Sequence, residues 1–243
     1  MGSIQAFNPV KLFIGVLVSD STPSDGSALI PRSVGPTVRP TEGTPASPAS
    51  LSRPSDGPPT LIPRIEQRLR SEFGPTDHQS NVIPFRFTDY YKHEMGAAID
   101  RVFFSFERLI EAHRLPEIKR HTNLIEAEFA SGSAVVKRPA NLDPGYLEHA
   151  KVVLATTKNF YHRMYLGNGI FGEVTMHFKN NAFQFFPWTY PDYQSPEYLE
   201  FFLSIRRIYR NQLRSMCLLR RRLGKPSDGR FKEAGVGSAK RDE

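Results

Sequence analysis

Runs and repeats of apolar residues along the chain predict an alternation of strands and helices. Residues 11–18 are apolar and rich in β-branched side chains, which is typical of a central strand. Apolar positions then recur at helical spacing in three stretches, 61–73, 99–110 and 115–129. Asp143-Pro144 resembles a helix N-cap followed by proline, so we predict a further helix from there to about residue 157.

The C-terminal half predicts three strands and a last helix. The strands are expected over 161–166, 171–178 and 182–186, with Asn168-Gly169 as a strong hairpin signal. Ser195-Pro196-Glu197 is expected to open the helix. With shorter strands at 82–87 and 134–138, this order predicts an α+β fold, a single domain in which helices pack on a mixed β-sheet.

Composition divides the chain into four parts. Residues 1–18 hold the first strand, and residues 61–215 form the rest of the domain. Between them, residues 19–60 contain nine of the 20 prolines and many serines. Such a segment buries too little apolar surface to offset its chain entropy, so we expect a long disordered Pro/Ser-rich insertion. Residues 216–243 are expected to form a basic, largely disordered tail.

Positive charge is concentrated at the C-terminal end. Residues 201–243 contain 12 Lys or Arg and 4 Asp or Glu, whereas the other 200 residues contain 20 and 21. The predicted last helix places Arg207, Arg210, Arg214 and Arg221 on roughly one face. An arginine stripe of this kind can contact RNA or another acidic partner, although many such stripes are simply solvated.

Several classes of protein are excluded by what the sequence lacks. The longest apolar run, residues 12–18, is far shorter than the ~20 residues that cross a bilayer, so we expect no membrane span. Cys217 is the single cysteine, which suits a reducing cytoplasm and rules out an internal disulfide. The sequence contains no P-loop and no HExxH, and it indicates neither a cofactor nor a metal site. It does not indicate an oligomeric state.

The hairpin at Asn168-Gly169 brings candidate chemistry together in either of two registers. A two-residue turn sets His162 opposite Thr175 and puts it on the same face as Glu173. A loop that differs by one residue sets Arg163 opposite Glu173 instead. Either pair suits proton transfer or the binding of a phosphate, but it could also be an ordinary cross-strand pair.

Four polar blocks stand out, at residues 87–96, 141–147, 154–167 and 187–193. Together they resemble the bacterial family catalogued as domain of unknown function 4416, over about residues 9–18 and 61–215. The resemblance implies no catalytic residues, so the candidates come from the blocks themselves. We expect catalytic roles for His162, Glu173, Asp89 and Asp143, and ligand-binding roles for Lys158, Arg163, Asn141, Tyr90 and Tyr193.

These residues favour a cytoplasmic protein that binds or acts on a phosphorylated or otherwise anionic small molecule, such as a nucleotide. Lys158 and Arg163 would hold the anion, and His162 with Glu173 would transfer protons. The alternative is a non-catalytic interaction protein that uses its arginine-rich helix. The sequence does not decide between binding and catalysis.

Overall fold

The computed structural model describes residues 8–19, 61–88, 92–96, 98–133 and 136–222. In these ranges nine strands form one sheet and four α-helices accompany it. The strands are β1 (Val10–Ser19), β2 (Thr76–Gln79), β3 (Ile83–Pro84), β4 (Ile99–Ile110), β5 (Ala140–Leu147), β6 (Lys151–Thr156), β7 (Met164–Gly167), β8 (Ile170–Lys179) and β9 (Ala182–Phe185). The helices are α1 (Leu61–Phe73), α2 (Lys92–Met95), α3 (Leu115–Ser131) and α4 (Pro196–Arg222).

The strands follow the order β2-β4-β1-β5-β6-β8-β7, with β3 also on β4 and β9 also on β8. Each of these pairings is antiparallel. The α+β class is confirmed, but the mixed sheet was wrong in detail. Parallel neighbours need crossover connections, usually helical, and two of the predicted helices are strands.

The predicted first strand is confirmed as β1, which lies in the middle of the sheet between β4 and β5. Its ten residues are all buried because helices cover both faces. Leu12, Ile14 and Val16 pack in a core with α1 and α3. Phe13 packs in a second core with Phe202 and other side chains of α4. Because both faces of β1 are buried against helices, its sequence is dominated by a continuous apolar run without alternating polar residues.

Lys11 is the charged residue of β1, and its side chain is fully buried. Its ammonium contacts the Asp77 carboxylate and donates to the Phe106 carbonyl at 2.7 Å and to Gln212 Oε1 at 3.1 Å. Burial lowers the pKa of Lys11, although Asp77 opposes that effect. Three acceptors thus satisfy the three donors of the ammonium, which makes Lys11 a structural tie between β1, β2 and α4.

Two predicted helices are strands, and two predicted strands are shorter or absent. Residues 99–110 form β4, and Asp143-Pro144 lies inside β5, where Asp143 pairs with Gly15 of β1. The strand predicted over 82–87 is limited to β3, and residues 136–138 are not in a strand. Strand β2 was not predicted.

The other elements agree with the sequence. Helices α1 and α3 are confirmed, as are strands β7, β8 and β9; α1 has the predicted ends, and the ends of the others differ by at most three residues. Helix α4 is confirmed too, but it continues to Arg222, so residues 216–222 are helical and not part of a tail. Residues 20–60 and 223–243, where most of the insertion and the tail were predicted, lie outside the described ranges. No helix among the described residues is long and apolar enough to cross a membrane.

Candidate functional site

The hairpin between β7 and β8 combines features of both predicted registers. Asn168 and Gly169 have positive φ angles of 55° and 76° and form the expected two-residue turn between Gly167 and Ile170. An irregularity at Leu166 then shifts the pairing by one, so that Met164 lies opposite Gly172. His162 and Arg163 directly precede β7, where the chain can direct both side chains toward Glu173.

Glu173 binds both residues through one carboxylate oxygen. Its Oε2 accepts a hydrogen bond from Arg163 Nε at 2.8 Å and lies 3.1 Å from His162 Nε2. The side chains are 2% exposed for Glu173, 7% for His162 and 8% for Arg163. We call these residues, with Trp188 and Tyr190, the Glu173 cluster.

Arg163 is committed to this cluster by three hydrogen bonds. Besides the bond to Glu173, Nη1 donates to the Lys158 carbonyl and Nη2 to the Tyr190 hydroxyl, each at 3.0 Å. Burial opposes the charge of Arg163, but its hydrogen bond to Glu173 and the charge of that carboxylate outweigh burial and raise the guanidinium pKa. Arg163 therefore neutralises and positions Glu173, while Lys158 is exposed nearby.

A column of stacked rings holds His162 from the other side. Trp188 stacks on His162 with ring centroids 5.2 Å apart, and Phe186 stacks on Trp188 at 4.8 Å. His177 of β8 follows at 5.1 Å from Phe186. Trp188 was not among the predicted site residues. Two features of the sequence could have pointed to it: Trp188 is the one tryptophan of the chain, and it lies inside a polar block.

The segment that carries Trp188 also closes a gap in the sheet. On the side of β8 away from β6, β7 pairs with residues 170–172 and β9 with residues 176–179. Between them, Trp188 Nε1 donates to the Val174 carbonyl at 3.0 Å and Thr189 Oγ1 donates to the Thr175 carbonyl. Two side chains thus replace the missing strand and anchor the ring column beside Glu173.

The cluster has the geometry of an oriented acid–base pair. Because Nε2 of His162 faces a carboxylate, that nitrogen carries the proton, and Nδ1 of neutral histidine is left as an acceptor. Nδ1 and Glu173 Oε1 are both buried, and neither has a hydrogen-bond partner within the described residues. Such an imidazole can accept a proton at Nδ1 and, once charged, donate to an anion.

Three further predicted site residues do not contact Glu173 but lie around Arg101 of β4. They are Asn141, Asp143 and Tyr193. The Arg101 guanidinium is buried, with Nη1 3.5 Å from Asp143 Oδ2 and Nη2 3.7 Å from Asp192 Oδ2. Its Nε donates to the Tyr198 hydroxyl at 3.1 Å. Burial raises the pKa of Asp192 despite the opposing charge of Arg101. Burial likewise raises the pKa of Tyr193 well above its ordinary value.

Asp143 connects Arg101 to a second cation. Lys119 Nζ of α3 lies 3.6 Å from Asp143 Oδ1, and Asn141 Nδ2 donates to Asp143 Oδ2 at 2.6 Å. The Asp143 carboxylate therefore balances buried charges, and it does not cap a helix as its sequence context suggested. Arg101 and Lys119 were missed because both lie in segments with helical spacing, where a cation is usually solvated. We call Arg101, Lys119, Asn141, Asp143, Asp192, Tyr193 and Tyr198 the Arg101 cluster.

Asp89 and Tyr90 lie outside the described residues. No group of three or more His, Cys, Asp or Glu side chains in the described ranges is arranged to hold a metal ion. The cations and carboxylates of both clusters are instead paired with each other.

Comparison with known families identifies the chain. The family model described as "Domain of unknown function (DUF4416)" matches residues 55–209, more than half of the 243 residues. The chain belongs to this family. No curated protein and no solved structure matches it significantly. The resemblance is thereby confirmed for the DUF4416 region, whereas β1, the strand at the centre of the sheet, lies before the matched residues.

Within the DUF4416 region, three of the four polar blocks contribute residues to the two clusters. Residues 154–167 supply His162 and Arg163, and residues 141–147 supply Asp143. The block at 187–193 contributes to both, with Trp188 and Tyr190 at one cluster and Asp192 and Tyr193 at the other. Since this segment links the clusters, a ligand that moved it would affect both.

Proposed function

We propose that the protein binds, and acts on, a phosphorylated or otherwise anionic small molecule at the Glu173 cluster. The observation that carries the proposal is the pair of buried atoms, His162 Nδ1 and Glu173 Oε1, that lack hydrogen-bond partners among the described residues. A buried polar atom without a partner costs about 1–3 kcal/mol, so a ligand that supplies one would be favoured.

The charges around these atoms favour an anion. When His162 is protonated, it and Arg163 carry two positive charges against the single charge of Glu173, and the main chain of the exposed Lys158 contacts Arg163. Ligand oxygens would accept from Nδ1 of protonated His162 and from Lys158, and a hydroxyl or amino group of the ligand would donate to Glu173 Oε1. In a reaction, His162 would take up or release the proton while Glu173 orients the ring and Arg163 positions Glu173.

Two exposed aromatic residues lie beside His162. The rings of Phe160 and Tyr161 lie 5.5 Å and 5.0 Å from the His162 ring, centroid to centroid. Both side chains are largely exposed, so His162 lies just beneath the surface of the protein.

Thermal unfolding tests this proposal with inorganic phosphate, nucleotides and sugar phosphates as probes. A ligand at a hundredfold excess over its Kd should stabilise the protein by about 2.7 kcal/mol. His162→Gln should lose that stabilisation, and the matched control His113→Gln, at an exposed histidine, should keep it. Equal stabilisation of both variants, or none with any probe, would contradict the proposal. Loss in His113→Gln alone would place binding in the cleft that His113 lines between α4 and the end of β4.

A second candidate function is the binding of RNA by α4. Arg207, Arg210 and Arg214 are all exposed on this helix. Anisotropy of a labelled single-stranded RNA, titrated at several salt concentrations, tests it. If α4 binds, affinity should fall steeply with salt, and the triple variant Arg207→Gln, Arg210→Gln, Arg214→Gln should flatten that dependence. An unchanged slope would exclude α4 as the contact.

We also propose that the protein is cytoplasmic. Cys217 is a free, exposed thiol, a state that a reducing compartment preserves.

A further inference from the structure

Five apolar side chains are exposed along the outermost strand of the sheet. The exposed fractions are 58% for Phe160, 77% for Tyr161, 63% for Met164, 64% for Tyr165 and 38% for Leu166. All five fall between residues 160 and 166, in the approach to β7 and in β7 itself. We call them the β7 patch.

An exposed edge of this composition is unusual for a strand that meets only water. Charged side chains, especially lysine, are one device that protects an edge strand, whereas the short length and the irregularity of β7 limit strand pairing but leave its apolar side chains exposed. Strand β7 has the sequence Met-Tyr-Leu-Gly and carries no charge. The preceding Arg163 does not protect it, because its side chain turns inward to Glu173. On its outer side β7 pairs with no other strand of the described residues.

We propose that the β7 patch is covered by a second copy of this chain, with the two β7 strands antiparallel across a two-fold axis. An antiparallel strand pair can place the same patch on both copies, as a two-fold interface requires. The outer backbone groups of each β7 edge, which no strand of the described residues pairs, then find partners in the other copy, and the two sheets become continuous. An apolar small molecule would leave those backbone groups unpaired.

The size of the patch agrees with a small but specific interface. Large aromatic side chains present ~150–250 Å² each, so the five residues at their exposed fractions offer roughly 600 Å² per copy. With all of this area covered, two copies would bury at most about 1,200 Å², which reaches the lower end of the range for stable protein interfaces. The irregularity at Leu166 limits regular strand pairing to Met164 and Tyr165, so most of the contact would come from side chains.

Sedimentation velocity of the full chain over a wide range of protein concentrations tests the proposal. The native protein should shift from monomer to dimer as concentration rises. Met164→Lys with Tyr165→Lys should weaken the dimer by about 100-fold or more, because the two-fold axis brings like charges together. Leu124→Lys is the matched control, since Leu124 of α3 is an equally exposed apolar residue, and it should dimerise normally.

Tyr165 also accepts a hydrogen bond from the Gly169 amide, so the double variant could disturb the hairpin. Tyr161→Lys alone leaves that bond intact and should also weaken the dimer. A protein that stays monomeric at all concentrations would overturn the proposal. So would a dimer that Tyr161→Lys leaves intact, one that Leu124→Lys disrupts equally, or assembly beyond a dimer.

Discussion

Trp188 lies flat against His162, with ring centroids 5.2 Å apart and ring planes inclined by only 9°. Its indole N–H donates to the Val174 carbonyl, so the tryptophan is fixed by the same strand that carries Glu173. His162 is therefore held at its edge by a carboxylate and on its face by a ring. This arrangement positions an imidazole more firmly than either contact alone.

Replacement of Trp188 should separate packing from hydrogen bonding. Trp188→Ala removes the stacking partner of His162 and should destabilise the fold by about 2 kcal/mol or more, since the side chain is half-buried. Trp188→Phe keeps a stacked ring but leaves the Val174 carbonyl without its donor, at a cost of about 1 kcal/mol. Urea unfolding measures both. If both variants lose the same free energy of unfolding, the stacking of Trp188 on His162 contributes little to stability.

Removal of the charge of Glu173 should lower the free energy of unfolding strongly, because its partner Arg163 is buried. Glu173→Gln leaves the Arg163 guanidinium without its counter-ion, and we expect a loss of about 3 kcal/mol. Glu128→Gln is the matched control, since Glu128 pairs with Arg68 at the surface, and it should cost less than about 1 kcal/mol. Chemical denaturation of both variants tests this contrast. Similar losses would mean that water reaches the Glu173 pair.

The helix predicted over residues 99–110 shows where the sequence pattern is ambiguous. Residues 102–106 of β4 read Val-Phe-Phe-Ser-Phe, and all of them are buried. A strand covered on both faces has no alternation of apolar and polar residues, so its apolar positions also satisfy helical spacing. The same segment contains Arg101, which explains why the cluster around it was not predicted.

The Glu173 cluster was largely predictable because a short hairpin builds it. Asn168-Gly169 fixed the turn, and the sequence left only two registers for His162, Arg163 and Glu173. Strand pairing rules do not reveal the irregularity at Leu166. At this irregularity Leu166 lies over Gly172 so closely that a Cβ on residue 172 would come within 2.7 Å of the Leu166 side chain. That contact depends on side-chain conformation, which the pattern does not encode.

Gly145 is required by close packing between strands β1, β5 and β6. A Cβ at this position would lie 2.5 Å from the Val153 carbonyl oxygen and 2.5 Å from the Phe13 ring. Because backbone cannot move aside cheaply, Gly145→Ala should destabilise the protein by about 3 kcal/mol or more. Gly132→Ala, at the open end of α3, should change stability by less than about 0.5 kcal/mol. Thermal unfolding distinguishes the two, and a mild effect at Gly145 would contradict this close approach.

The pH dependence of stability should show which force dominates at Asp192. An ion pair with Arg101 alone would lower the carboxyl pKa, so its contribution to stability would grow as pH rises. Burial instead raises the pKa of Asp192. The folded state then holds the proton at a pH where the unfolded chain has released it. Stability must therefore fall as pH rises from about 4 through the raised pKa.

Comparison with Asp192→Asn isolates this effect, because asparagine keeps the shape of the side chain but does not titrate. The unfolding free energy of the native protein, measured in urea between about pH 4 and pH 7, should decline relative to that of the variant as pH rises. Glu117→Gln, at an exposed carboxylate of α3, should leave that decline in place. A native protein that instead gains stability over Asp192→Asn with rising pH would show that the Arg101 charge, 3.7 Å away, outweighs burial.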